Sequence, residues 1–140
     1  QLCECLLGFE QVWEEKNIEI ETDIDDDIVV NSDRELLSVV WYNLFSNAFK
    51  FTDEGGRVSL SVKNDGELAV VRIKDSGCGI SKETGKHIFD KFYQGDTSHA
   101  TKGNGLGLAL VKRVIDITKC DISVESELGR GSTFTVKITK

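Results

Sequence analysis

The chain contains no methionine and no proline, and it has only two histidines and four cysteines. With no methionine and Gln1 at its start, it reads as a piece of a longer protein whose other parts carry a share of the function. Cys3, Cys5, Cys78 and Cys120 form no C-x-x-C spacing and have no paired histidines beside them, which argues against a zinc site. Small buried thiols in a reducing compartment are the expectation instead. Positive charge is also short: 17 Lys and Arg face 24 Asp and Glu, a formal net charge of −7. That balance argues against a nucleic-acid surface. Asp23, Asp25, Asp26 and Asp27 read as a solvated acidic turn. No apolar run approaches the length of a membrane span, and no signal peptide opens the chain. Two nucleotide signatures are missing as well. No G-x-x-x-x-G-K-[ST] occurs, and no G-x-G-x-x-G follows a strand, which excludes a P-loop, a dinucleotide fold and a serine-kinase loop.

What remains is a chain of 140 residues, 39% hydrophobic and 29% charged, the profile of one globular domain able to bury a core. Leu2, Leu6, Phe9 and Trp13 recur at helical spacing, which predicts a helix over 1–16. IEIET (18–22) alternates as a strand. Ser32-Asp33-Arg34-Glu35 has the form of a capping box opening a long helix, with Leu36, Leu37, Val40, Leu44 and Ala48 as its core stripe. Residues 58–63 and 67–74 read as a hairpin about an Asn64-Asp65-Gly66 turn. Residues 81–92 suggest a short helix, 94–104 an aperiodic stretch, and 106–118 a third helix. DISVESE and STFTVKI, joined by Leu128-Gly129-Arg130-Gly131, predict a closing hairpin. This order suits an α/β fold, a two-layer sandwich with a mixed, mostly antiparallel sheet, rather than alternating βαβ units.

Three features of this pattern point to chemistry. Asn43, Asn47 and Lys50 stand at i, i+4 and i+7 and share one helix face, although asparagine is a poor helix former. Amide oxygens are hard neutral ligands, suited to a Mg²⁺ already carrying phosphate oxygens, and a lysine one turn further suits the phosphates. A plain solvated polar face is the competing reading. Asp75 continues the row Ala69, Val71, Ile73 toward the core, where a carboxylate is costly unless something donates to it. An acid in an apolar cleft accepts from the exocyclic amine of adenine and rejects the carbonyl of guanine. Ser76-Gly77-Cys78-Gly79-Ile80 follows, two glycines that let another group come close. The bland alternative is an aspartate beginning a turn. Finally, TKGNGLGLALVKR (101–113) sets Gly103, Gly105 and Gly107 at alternate positions before a helix, an arrangement that suits an anion at the helix N-terminus.

In order and spacing, NLFSNAFKFT (43–52), DSGCGI (75–80), IFDKFYQ (88–94) and GNGLGLAL (103–110) resemble the N, G1, F and G2 boxes of sensor histidine kinases. The similarity continues through ISVESELGRGSTFTVKI (122–138). The resemblance implies the Bergerat ATP-binding fold, shared with gyrase-type and chaperone ATPases, with three helices covering one face of the sheet. It implies residues 1–16 as the end of a dimerisation helix or linker and 17–140 as the catalytic domain. By position, it places Mg²⁺ on Asn47 with Asn43 beside it, and the phosphates on Lys50. Adenine is placed between Phe51, Asp75, Gly77, Gly79 and Ile80. Phe89 and Phe92 match the F box, which anchors an ATP lid over roughly 93–104. Gly103, Gly105 and Gly107 let that lid hinge, while the backbone around Leu106 and Leu108 cradles the triphosphate. Thr133 matches the closing strand's approach to adenine, although strand alternation sets it opposite Phe134, Val136 and Ile138.

Gln94 stands where many members carry a γ-phosphate-contacting arginine, and Asn104 replaces a Thr or Ser of the G2 box. His87 and His99 lack the acidic residue and proline that accompany the family's phosphoacceptor. The resemblance therefore implies a kinase domain that uses ATP and Mg²⁺ to phosphorylate a histidine on a separate dimerisation domain, and through it a response regulator. It also implies a homodimeric parent and a cytoplasmic location, with or without a membrane anchor elsewhere in that parent. Two alternatives stand beside it: a machine-type ATPase, disfavoured because Asn43 replaces a glutamate base, and a non-catalytic nucleotide sensor.

Overall fold

The computed structural model describes residues 1–25, 28–30, 32–81, 88–89 and 107–140. Its long helix, α3 (Arg34–Phe51), is capped by Asp33, whose carboxylate accepts from the Leu36 N–H at 3.1 Å. The cap thus falls one residue later than a Ser32 capping box would put it. Leu37, Val40, Leu44 and Ala48 are buried, and so are Trp41, Phe45 and Phe49 on an adjoining flank. A helix buried on so wide an arc needs two partners.

The sheet is one partner. Strands β1 (Glu19–Ile24), β2 (Arg57–Asp65), β3 (Leu68–Asp75), β4 (Asp121–Glu127) and β5 (Gly131–Thr139) form a single sheet in the order β1-β2-β3-β5-β4. Among the described strands only β1 and β2 run parallel, from Glu19↔Arg57 to Ile24↔Val62, because α3 carries the chain back between them. The other pairings are antiparallel. Alternation turns Val58, Leu60 and Val62 of β2, Ala69, Val71 and Ile73 of β3 and Phe134, Val136 and Ile138 of β5 into the core. The β2–β3 turn is tighter than expected: Asp65 pairs with Leu68, leaving Gly66 and Glu67 as a two-residue loop. Gly66 at φ +61 supplies the positive dihedral its first position needs.

The N-terminal segment is the other partner. Residues 1–16 form two short helices, α1 (Leu2–Leu7) and α2 (Glu10–Glu15), rather than one. The break at Gly8-Phe9 lays the Phe9 ring against Phe49, Tyr42 and Phe45, at centroid distances of 5.3, 5.5 and 6.4 Å. Trp13 adds a contact to Phe49 at 5.9 Å. Lys16 then donates to the carbonyls of Phe49 (2.8 Å) and Thr52 (3.1 Å), satisfying the C-terminal end of α3 and complementing its dipole.

Helix α4 (Gly107–Thr118) packs beside α3 and against β4, burying Val111, Val114 and Ile115. Of the expected 81–92 helix, only Ser81, Ile88 and Phe89 are described; Ile88 is buried and Phe89 packs against the core. All four cysteines are free thiols, but Cys3 is exposed and the others are half-buried, against the expectation of buried thiols. Nor is the acidic cluster simply solvated. Asp23 and Asp25 pair with Lys63 at 2.7 and 3.5 Å, and Asp25 accepts from the Asn64 N–H; Asp26 and Asp27 lie outside the described residues. No described helix is long and apolar enough to cross a membrane.

Candidate nucleotide site

Asn43, Asn47, Lys50 and Phe51 lie half-buried along the second half of α3. The Asn43 amide donates Nδ2–H to the Val39 carbonyl one turn back, at 2.7 Å. Its Oδ1 faces the neighbouring helix, 2.9 Å from where a Cβ on Gly107 would be. The third glycine of the alternate series thus has a local reason: the Asn43 amide occupies the space a side chain would take. This contact sets an amide oxygen against the first turn of α4, where backbone N–H groups and the helix dipole favour an anion. Lys50 Nζ stands 5.5 Å from the centroid of the Phe51 ring. Leu108, in the same turn, packs against the core. Phe92, Gly103, Gly105 and Leu106 lie outside the described residues, as do Gln94, Asn104, His87, His99 and the 93–104 segment.

Asp75 ends β3 on its inward face and is 6% exposed. Its carboxylate accepts from the Gly77 N–H at 2.9 Å, and Ser132 stands across from it on β5. Among the described residues it has no ion-pair partner. Burial therefore dominates and pushes its pKa up to about 6, with the backbone at Gly77 and Ser132 pulling back against it. Chemically it is an acceptor held in an apolar wall with lone pairs left over.

The glycines around Asp75 admit the chain's own backbone. A Cβ on Gly77 would lie 2.3 Å from the Phe51 carbonyl oxygen, and one on Gly79 (φ +74) 2.1 Å from that of Glu127. The Gly129 N–H donates to the Cys78 carbonyl at 2.8 Å, and the Ile80 N–H to Ser126 Oγ at 2.7 Å. The segment is thus sewn to the end of α3 on one side and to the β4–β5 hairpin on the other. Lines of sequence cannot reveal those approaches, since both partners are distant in the chain.

Thr133 pairs with Lys74 and alternates away from buried Phe134. Ser132, 6% exposed and directly across from Asp75, is the residue on the inward face. Sequence reasoning passed over it, although counting back by two from Ile138, Val136 and Phe134 reaches it. It also passed over Ser126, whose signal is spatial only.

Three comparisons to known proteins bear on the family and the fold. Residues 32–140 match the family described as histidine kinase-, DNA gyrase B-, and HSP90-like ATPase. The circadian input-output histidine kinase CikA of Synechococcus elongatus is 42% identical over 79% of this chain and 15% of its own length. The sensor histidine kinase RcsC of Escherichia coli is 43% identical over 85% of this chain and 12% of its own. The chain thus spans less than a sixth of the length of these relatives. The nucleotide-free catalytic domain of the histidine kinase ThkA superposes with a TM-score of 0.87 at 28% identity, covering 99% of this chain and 91% of that one. ThkA in complex with the response regulator TrrA gives 0.78 at 25% identity, covering 98% of this chain and 38% of ThkA. The chain belongs to the histidine kinase-, DNA gyrase B- and HSP90-like ATPase family, as the ATP-binding catalytic domain of a sensor histidine kinase.

Proposed function

We propose that this domain binds ATP between the C-terminal half of α3, the Asp75 loop and the start of α4, and passes the γ-phosphoryl to a histidine on a separate dimerisation domain. The observation that carries the reading is buried Asp75, an acceptor that among the described residues is met by the Gly77 N–H and by no cation. Its spare lone pairs suit the adenine amine, with Phe51 at the end of α3 as the stacking ring and Gly77, Gly79 and Ile80 as the wall. Lys50 is the phosphate cation. Asn47 and Asn43 would hold Mg²⁺, and the Oδ1 of Asn43 fits that role because its Nδ2 is committed to Val39 while the oxygen faces the start of α4. When bound, the cation would neutralise phosphate charge. The chain's own groups position and shield; phosphoryl transfer asks little covalent chemistry of them.

Asn43 also bears on the choice among relatives. An amide takes no proton from water, so hydrolysis without an acceptor is slow. Residues 1–16 are proposed as the end of the dimerisation helix or linker, and a response regulator as the downstream partner, by analogy with ThkA and TrrA. Mixing this chain with γ-labelled ATP, with and without histidine-bearing dimerisation helices as a separate chain, tests the reading. Acid-labile label is expected on the helices alone, lost when their histidine is replaced. Label on His87 or His99, or brisk phosphate release without helices, contradicts it.

A further inference from the structure

One rung of the sheet crosses three strands as Asp75, Ser132 and Ser126. Ser126 is the outermost, on β4, yet its hydroxyl is fully used. It lies 2.7 Å from the Ile80 N–H, 3.0 Å from the Gly131 carbonyl oxygen and 2.8 Å from Ser132 Oγ. A hydroxyl has one hydrogen and two lone pairs. Ile80 can only donate and Gly131 can only accept, so Ser126 donates to Gly131 and accepts from Ile80. Its remaining lone pair then accepts from the Ser132 hydroxyl. All three bonds are made at once, and their directions are set.

We propose that Ser126 is a positioning residue for adenine recognition, acting through Ser132 and Ile80 on the Asp75 carboxylate. This rests on Asp75 being the adenine reader. The hydroxyl ties together the two segments that flank the carboxylate. On one side is the 77–80 loop, whose Gly77 N–H bonds Asp75. On the other is the start of β5, where Ser132 pairs directly across from Asp75. Replacing Ser126 by alanine leaves the Ile80 N–H, the Gly131 carbonyl and the Ser132 hydroxyl each short of a partner. The loop keeps its bond from Gly129 to the Cys78 carbonyl, so it loosens without detaching. Carboxylate orientation is what degrades. Ser126 as a residue is exposed, so the substitution opens no cavity in the core.

The test is calorimetric titration of the wild-type chain, Ser126→Ala and Ser126→Thr with ATP and with GTP, alongside thermal melting. Losing this orientation should weaken ATP binding of Ser126→Ala about tenfold, with GTP affinity changed less than about twofold and a folded chain whose melting temperature falls only modestly. Ser126→Thr keeps the hydroxyl and should restore the ATP:GTP ratio. An unchanged ratio in Ser126→Ala overturns the proposal, whether both affinities stay put or fall together. Failure of Ser126→Thr to restore the ratio also overturns it. A wild-type chain that binds ATP and GTP alike instead sinks the assignment of Asp75 as adenine reader.

Discussion

A carboxylate whose ordinary pKa of 3.8 is raised to about 6 reports an environment that disfavours its charge. The folded chain therefore holds a proton on Asp75 between pH 4 and 6 that the unfolded chain has released. Stability from this group is fullest below pH 4 and falls as pH rises to about 6, by on the order of 3 kcal/mol. Nucleotide binding has the opposite sign, because the adenine amine needs the ionised acceptor. ATP affinity is predicted to rise with pH up to about 6 and then level off, with protons released on binding below that point. Titrations in buffers of differing ionisation enthalpy measure both. Asp75→Asn should flatten the profile and cost binding about 1–3 kcal/mol while the fold survives. A pH-independent affinity in the wild type contradicts this. At the other end of the pocket, Asn47→Ala should abolish the enhancement of ATP binding by Mg²⁺ and leave melting nearly unchanged, since Asn47 is only half-buried. An Mg²⁺ dependence equal to wild type returns the asparagines to a plain polar face. At this scale the sequence was informative: an acid continuing an apolar row, and asparagines where a helix disfavours them, are anomalies visible without coordinates. Ser132 is reached by counting back from Phe134 along the buried row, whereas Ser126 is not, because its signal is only its spatial contact with Ile80 and Gly131.

Among the elements, the β4–β5 hairpin offers a controlled comparison between two glycines. Both take positive φ, +105 for Gly131 and +81 for Gly129. A Cβ on Gly131 would lie 1.9 Å from the Asp75 carbonyl oxygen, whereas one on Gly129 meets nothing within 4 Å. Gly129→Ala is predicted to cost only the left-handed penalty, about 1–2 kcal/mol. Gly131→Ala must also displace β3 where it bears Asp75, and should cost several kcal/mol more and weaken ATP binding. Equal melting temperatures for the two variants, measured by calorimetry, contradict the close approach. Strands and the long helix were legible because periods of 2 and 3.6 survive in their apolar residues. The break within 1–16 leaves no mark in the spacing, which serves either one helix or two that share a face. What decides is tertiary: the Gly8-Phe9 break places an aromatic ring against Phe49, and a weak helical preference yields to that contact.

For the whole molecule, α3 is the frame on which everything is hung. One face rests on the sheet, another carries Asn43, Asn47, Lys50 and Phe51, and a third is covered by residues 1–16 through Leu6, Phe9, Trp13 and Lys16. Removing residues 1–16 is predicted to expose Phe45 and Phe49, to free two carbonyls at the end of α3 and to lower the melting temperature by well over 5 °C. A truncated chain that melts with the full one contradicts that role. The central claim, that these elements converge on an adenine nucleotide, is tested most directly by titrating the chain with ATP and with GTP in saturating Mg²⁺. The prediction is saturable binding of ATP at a 1:1 ratio, with GTP at least about tenfold weaker. Equal affinity for the two nucleotides, or no binding of either, contradicts it.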